Sequence, residues 1–446
     1  MSRPRGAAYL LYDGLLALGA AALLPWALVR CTWDPEFRRG LRDRLALGGP
    51  ALARGGRRRL LLHGVSVGEV VAMRPLVRAL LEEESGLELV LSSTTPSGRA
   101  TARRLWPDLP VRAFPLDLRG ACRRFLDQVR PDAVILMELE IWPNFLRVCG
   151  RRGIPVAIVN GRITERSMGG YLRVQRLLPQ FDRIGLYGVQ NELYAERFRR
   201  LQVPDERIVV TGNLKYDNLP ESGVSGSPPE PWRHWFEGRV VLACGSTHEP
   251  EEREILEAVA ARQELSDLVL VFVPRHPDRA GRLLRRLEEG PRPVFLRSRL
   301  HVERPLPPGA VLVVDTFGEL EAVYRASRVA FVGGSLLPHG GQNVLEPAAL
   351  GRPVLTGPST ENFGEEVELL RRAGGLRSGE TAPLLIESGL PWLLSGEQAR
   401  EAGECAARAL RARRGAARAT LAALRRAGLL ESGRTPSDSE TPSPAG

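Results

Sequence analysis

Asn343 and Glu346 stand three residues apart in VGGSLLPHGGQNVLEPAALGRPVLTGP, residues 332–358, with the polar groups that fit ribose hydroxyls. Ahead of them a short apolar run ends in Gly333-Gly334-Ser335, and a second glycine pair follows at Gly340-Gly341. Glycine lets backbone N–H groups come close to an anion, and a helix N-terminus adds positive potential there. With a helix-start pattern carrying Asn343 and Glu346, the stretch reads as a nucleotide site. It belongs at the carboxyl edge of a parallel sheet, where open α/β folds bind ligands.

Other carboxylates suit proton transfer. Glu69, in HGVSVGEV at residues 63–70, falls in the first helical turn after a strand. A helix N-terminus favours the ionised carboxylate that a general base needs. Ser66 and Glu69 also have capping-box spacing, in which the carboxylate only bonds the cap's backbone N–H, so both roles stay open. Glu138 and Glu140 in MELEIWPN end a strand, and a period of two puts both on one face. Two carboxylates on a buried strand are costly unless bonded or functional, whereas an exposed strand end needs no function. Arg162 in NGRITERS serves equally as an anion contact or as an ordinary surface arginine.

Three further loops follow strands in the second half. GSTH at Gly245 to His248 opens a helix as a phosphate-contacting turn would, or as a plain cap with Glu249 in the capping role. In Pro274-Arg275-His276-Pro277 the prolines fix the loop, and Arg275 is placed to grip a phosphate or base. In DTFGE, Asp315 to Glu319, Gly318 allows close backbone approach. Polar loops at successive strand ends point together to a nucleotide.

The positioning elements follow from periodicity. RRLLLHGVS, LELVLSSTT, DAVILMELE, IPVAIVNGR and RIVVTGN read as strands, with helical spacing between them at 70–84 and 191–201. The pattern repeats after residue 238 with GRVVLACGS, DLVLVFVPR, AVLVVDT, VAFVGG and PVLTG. Strands separated by helices imply parallel sheets, hence an α/β chain of two doubly wound domains. Residues 216–231 read as a linker, which puts Lys215 at its edge. The domains expected are 31–218 and 232–430, after an anchor at 1–30 and before a disordered polar tail at 431–446.

Of the 62 basic residues, 61 are arginine, and Lys215 is the one lysine. Where arginine has replaced lysine elsewhere, a surviving lysine reads as a compact ammonium whose task a planar guanidinium cannot perform. The five cysteines form no CxxC, and the six histidines show no metal-ligand spacing, so neither a disulfide framework nor a zinc site is expected. Nor is there an Asp-x-Asp to hold a metal on a nucleotide diphosphate.

Residues 1–60 hold eleven arginines against four acids within a formal net charge of +10. Residues 6–29, GAAYLLYDGLLALGAAALLPWALV, are almost wholly apolar. As a helix at ~1.5 Å per residue they are roughly long enough for ~30 Å of hydrocarbon, although Asp13 and Pro25 count against a deep span. The arginines that follow place the body on the cytoplasmic side. A cleaved signal peptide is the rival reading, and no small-x-small site precedes the basic stretch.

HGVSVGEV, STTPSG, MELEIWPN, NGRITERS, GNLKYD, GSTHEPEE, VPRHPDR, DTFGEL and the 332–358 stretch resemble, in order, the 3-deoxy-D-manno-octulosonic acid (Kdo) transferases. The resemblance runs to about residue 420. It implies a GT-B fold of two facing Rossmann-like domains with the active site between them, no metal, no cofactor, and attachment to the cell inner membrane on its cytoplasmic side. The implied reaction moves Kdo from CMP-Kdo to the 6′-hydroxyl of a lipid A precursor. Carried over, Glu69 matches the general base, and Glu138 and Lys215 match groups that stabilise the transition state, with Glu140 in reserve. Pro274-Arg275, Phe317-Gly318-Glu319 and Asn343-Val344-Leu345-Glu346 match the CMP-binding segments. Gly161 and Val344 depart from commoner alanine and proline, and neither change removes a reactive group.

A GT-B transferase using a UDP- or GDP-sugar fits the ribose pair equally. A membrane-tethered protein binding RNA or anionic lipid fits the arginines, but they cluster beside the apolar segment rather than among aromatics, which argues against nucleic acid.

Overall fold

The computed structural model describes residues 6–220, 227–300 and 304–431, so the tail expected at the C-terminus lies, beyond Glu431, outside the described residues. The chain divides into two compact units, 1–218 with 414–446, and 219–413.

The N-terminal segment forms α1 (Gly6–Trp33) and α2 (Pro35–Arg44), separated by Asp34, whose side chain accepts the Phe37 N–H at 2.9 Å. The helix therefore continues past the apolar run, through Arg30 to Trp33.

The first unit is built on a seven-stranded parallel sheet in the order β3-β2-β1-β4-β5-β6-β7. Its strands are β1 (Arg58–His63), β2 (Leu87–Ser93), β3 (Val111–Ala113), β4 (Ala133–Met137), β5 (Val156–Gly161), β6 (Leu186–Val189) and β7 (Ile208–Val210). Leu60, Leu62, Ile135 and Val159 face one core, and Leu61, Val134, Leu136 and Ile158 face the other, as period two requires of a sheet covered on both sides.

The second unit carries β8 (Val241–Thr247), β9 (Val269–Pro274), β10 (Val294–Leu296), β11 (Val311–Val313), β12 (Val329–Val332), β13 (Val354–Thr356) and β14 (Leu376–Ser378). Its order is β10-β11-β9-β8-β12-β13-β14, also all parallel. In each sheet the order reverses beside the first strand, between β1 and β4 and between β8 and β12. These switch points are where α/β sheets open a crevice for ligands.

The helix Ala416–Arg426 corrects the expected boundary at residue 430, because it returns to the first unit. Asp217 accepts the N–H groups of Gly415 and Ala417, each at 2.7 Å, and Ala416, Ala417, Leu421 and Leu424 join the first unit's core. A sequence period shows that a helix has an apolar face, not which core receives it.

Candidate functional site

At the β1–β4 switch point three glutamates gather. β1 ends at His63, and α3 (Val67–Ala72) begins after Gly64, Val65 and Ser66. A β-carbon at Gly64 would lie 2.8 Å from Met73 Cε and 3.1 Å from Glu69 Cβ, so glycine lets the helix start sit tight against the strand end. Glu69 Oε2 accepts the Val65 N–H at 2.9 Å, and Oε1 accepts the Ser66 hydroxyl at 3.2 Å. Ser66 makes no side-chain cap bond, and Glu69 bonds the N–H of the residue before the cap, so the pair departs from a standard capping box.

Burial pushes the Glu69 carboxyl above its ordinary value; the Val65 bond opposes this and the Glu138 charge reinforces it. Glu140 is pushed up to about 7, first by burial and then by the Glu69 charge, against a 3.0 Å bond from the Trp142 indole N–H.

Glu138 does not share a strand face with Glu140. β4 stops at Met137, and Glu138 takes a left-handed conformation with φ 56°. The period-two argument fails because the pleat has ended. The turn nonetheless brings both carboxylates into electrostatic contact with Glu69. A non-glycine residue held at positive φ stores strain of ~1–3 kcal/mol, and such positions cluster at functional sites. Glu138 is fixed there by its N–H on Val159 O (2.9 Å), and Arg162 Nε lies 3.8 Å from its Oε2.

Lys215 lies at the same sheet edge, in the turn Leu214–Asn218. Buried Asn160, also at positive φ (54°), accepts the Leu214 N–H on Oδ1 at 3.0 Å and so ties this turn to the end of β5. The Lys215 N–H bonds Asn213 Oδ1 at 3.0 Å, and its ammonium forms no ion pair among the described residues. His63 is structural: it is fully buried, bonds Ser92 Oγ at 3.0 Å through Nδ1, stacks on Phe114, and is held neutral by burial with a value near 3.

At the β8–β12 switch point the glycine-rich turn already holds an anion, and it belongs to the chain. The fully buried Glu251 carboxylate accepts the N–H groups of Gly334 (2.9 Å), Ser335 (3.0 Å) and Leu336 (3.0 Å), and that of His248 (3.0 Å). The reading of this turn as a direct anion cradle is therefore corrected, and Glu251 rather than Glu249 caps the helix Glu249–Ala260. Gly333 is required by packing, since a β-carbon there would lie 2.6 Å from Ser246 O. The neighbouring carboxylate, Glu252, is also fully buried; it pairs with Arg279 (2.5 and 2.8 Å) and receives the Thr247 hydroxyl.

Asn343 and Glu346 are bonded to each other: Asn343 Nδ2 donates to Glu346 Oε1 at 2.9 Å, and Asn343 Oδ1 accepts the Leu345 N–H at 3.1 Å. Burial raises the Glu346 carboxyl, and the Asn343 bond opposes this. The helix that follows, Leu345–Ala349, spans five residues, so it contributes little macrodipole. Val344 and Leu345 are buried in packing and have only backbone to offer a ligand.

Pro274 ends β9, and the Arg275 N–H bonds Thr247 O at 3.0 Å, leaving an exposed guanidinium with no ion pair among the described residues. Phe317 is 85% exposed beside Gly318 at φ 83°. Glu319 is engaged internally: Arg297 bonds its Oε1 at 2.9 and 3.1 Å, and the Thr316 hydroxyl its Oε2.

Sequence reasoning missed one cluster. His339 and His276 lie 4.7 and 6.4 Å from His248, ring centre to ring centre, and His248 Nε2 is buried without a partner. Burial depresses His248, Glu251 opposes, and the nearby His339, Arg279 and His276 depress it further. The three come from loops after β8, β9 and β12, and no linear spacing announces them. Among the described residues no group of three or more His, Cys, Asp or Glu side chains converges as a metal-ligand set.

The fold defines the class. Two doubly wound parallel sheets, with polar residues at the carboxyl edge of each, form a GT-B glycosyltransferase fold. The chain superposes on a putative UDP-N-acetylglucosamine 2-epimerase from Listeria monocytogenes with a TM-score of 0.56 at 16% identity, over 85% of this chain and 98% of that one. It superposes on MurG from Acinetobacter baumannii with a TM-score of 0.50 at 12% identity, over 83% and 99%. At these identities the likeness concerns the fold alone.

Sequence comparison is more specific. Residues 39–218 match the family model 3-deoxy-D-manno-octulosonic-acid transferase (kdotransferase). The 3-deoxy-D-manno-octulosonic acid transferase of Haemophilus influenzae is 32% identical over 393 residues, covering 87% of this chain and 91% of that protein. The one from Bordetella pertussis is 36% identical over 378 residues, covering 81% and 86%. The chain belongs to the Kdo transferase family and is a glycosyltransferase.

Proposed function

We propose that the chain transfers Kdo from CMP-Kdo to the 6′-hydroxyl of a lipid A precursor at the cytoplasmic face of the inner membrane, by a single inverting displacement with Glu69 as base. The observation that carries this is the oriented, proton-hungry Glu69 carboxylate beside Glu138 and Glu140 at a switch point.

A sugar hydroxyl is a poor nucleophile until its proton is taken as the new bond forms. Each Glu69 oxygen accepts one hydrogen bond and keeps a second lone pair, so the bonds to Val65 and Ser66 aim the group without exhausting it. The hydroxyl oxygen bonds the anomeric carbon, its proton passes to Glu69, and the bond from that carbon to the CMP phosphate oxygen breaks with its electrons leaving on CMP. The carbon gains oxocarbenium character and the phosphate gains negative charge. Glu138 is assigned to the first, and the cations of Lys215 and Arg275 to the second, where interactions made only in the transition state raise the rate. Asn343 and Glu346 hold the ribose, and the backbone around Phe317-Gly318-Glu319 and Val344-Leu345 borders the nucleotide.

No metal or cofactor enters this scheme. Incubating the protein with CMP-Kdo and tetra-acylated lipid A precursor tests it: CMP is released, the lipid gains the mass of Kdo, and EDTA leaves the rate unchanged. Transfer only from a UDP- or GDP-sugar would overturn the donor assignment, and loss of activity in EDTA the metal-free one.

A further inference from the structure

The hairpin of α1 and α2 is held by the first unit at the start of α1 and at the end of α2. Near its start, Tyr9 Oη accepts hydrogen bonds from Gln180 Nε2 (2.7 Å) and Arg183 Nε (3.1 Å), and the Arg147 guanidinium lies 4.3 Å over its ring. Tyr12 donates to Asp117 at 2.8 Å, and Asp13 accepts from Asn144 Nδ2 at 2.7 Å. Residues 9, 12 and 13 share one helical face. Their partners Asp117 and Asn144 are buried, and Asp117 also receives the Asn144 and Phe145 N–H groups, so this latch reaches the body of the unit.

The other end runs into α2, whose last carbonyl, Arg44 O, accepts the Leu116 N–H at 2.8 Å. Arg124 bonds Leu45 O at 2.8 Å, Gln128 bonds Ala46 O at 3.0 Å, and Ala46 is in the core.

This tethering conflicts with a span. From Asp13 to Trp33 the helix rises roughly 30 Å, while α2, at about 15 Å, is too short to return that distance. The return would also carry Arg38, Arg39 and Arg42 through hydrocarbon, where each charge is costly. Between its ends α1 exposes Leu11, Leu15, Leu18 and Leu24. At the elbow, Trp26 packs edge-on against Phe37 at 5.4 Å, Arg30 lies over both rings, and Trp33 is 84% exposed. Aromatics flanked by arginines suit the headgroup layer of an anionic leaflet.

We infer that α1 lies in the plane of one leaflet, immersed in its acyl boundary with both ends on the side of the body, and does not cross the bilayer. The inference rests on the membrane attachment proposed above and gives that attachment a geometry. It also accounts for Asp13, the one charge inside the apolar run, which faces protein rather than lipid.

The test uses the full chain with Cys31→Ser and Cys405→Ser and a single environment-sensitive fluorophore on Leu11→Cys, Leu18→Cys or Val29→Cys, three exposed positions on one helical face. Each labelled protein is bound to phosphatidylethanolamine–phosphatidylglycerol vesicles and quenched by lipids spin-labelled near the headgroup or near the chain end. An in-plane helix gives the same shallow-to-deep quenching ratio at all three sites, within about twofold. A graded series with Leu18 deepest overturns the in-plane geometry and leaves membrane attachment standing. Failure to sediment with the vesicles overturns both.

Discussion

The Glu69 carboxylate accepts the backbone N–H of Val65 at 2.9 Å, a bond that runs from the first turn of α3 back to the end of β1. It makes one side chain both a strut for the strand-to-helix turn and a fixed acceptor at the sheet edge. Holding the helix start and the proposed catalysis are therefore compatible at this position, because a base must be held still and the helix start holds this carboxylate. Burial raises its affinity for a proton, and the nearby charge of Glu138 adds to this.

Glu140 should make the first unit less stable as pH rises. Its carboxyl is raised from 4.5 in the ordinary case to about 7 by burial and the Glu69 charge. Between those values the unfolded chain has released the proton and the folded chain keeps it, so stability falls with rising pH across that window. Glu140→Gln keeps an acceptor for the Trp142 indole and removes the charge. It should be more stable than the parent at pH 8, by at most about 3 kcal/mol, with the gain vanishing below pH 4.5. Denaturant unfolding at both pH values checks this.

Glu251→Gln should unsettle the β8–β12 switch point. Four N–H groups converge on the carboxylate, and an amide replaces one of its oxygens with a donor. Each buried donor left without a partner costs ~1–3 kcal/mol. Melting of the second unit should fall by roughly 6–12 °C for a loss near 3 kcal/mol, and CMP affinity should fall with it. An unchanged melting temperature would show that the turn does not depend on this carboxylate.

Phe317→Ala separates binding from folding. The ring is exposed and packs in no core, so melting should be unchanged. If it stacks on the cytosine, its loss costs about 1–3 kcal/mol, which weakens CMP binding by roughly tenfold or more in calorimetry. Unaltered affinity would remove Phe317 from the nucleotide site.

The long apolar strands β1, β2, β4, β5, β8, β9 and β12 were legible because each carries a run of buried aliphatic residues. β7, β11 and β13 are only three residues long but stand in the apolar runs RIVVTGN, AVLVVDT and PVLTG, whereas β3 and β14 each carry an arginine, β10 is only partly buried and β6 contains Gly188, so these four do not stand out. The Asn343–Glu346 pair was legible because its partners are local in sequence. The Glu251 anchor was not, since it lies more than eighty residues from the turn it bonds, and hydrogen bonding across a sheet leaves no mark in a linear pattern. Glu138 was misplaced on a strand face because only the backbone angle shows where the pleat stops.

The most direct measurement compares Kdo transfer by Glu69→Gln and the parent at saturating CMP-Kdo and acceptor, with CMP affinity and melting recorded on the same preparations. Glutamine keeps an acceptor for the Val65 N–H but cannot take a proton. Transfer should fall by ~100-fold or more while CMP binding stays within about twofold and melting is preserved. Transfer within tenfold of the parent, with the fold intact, would contradict the account and place the base elsewhere.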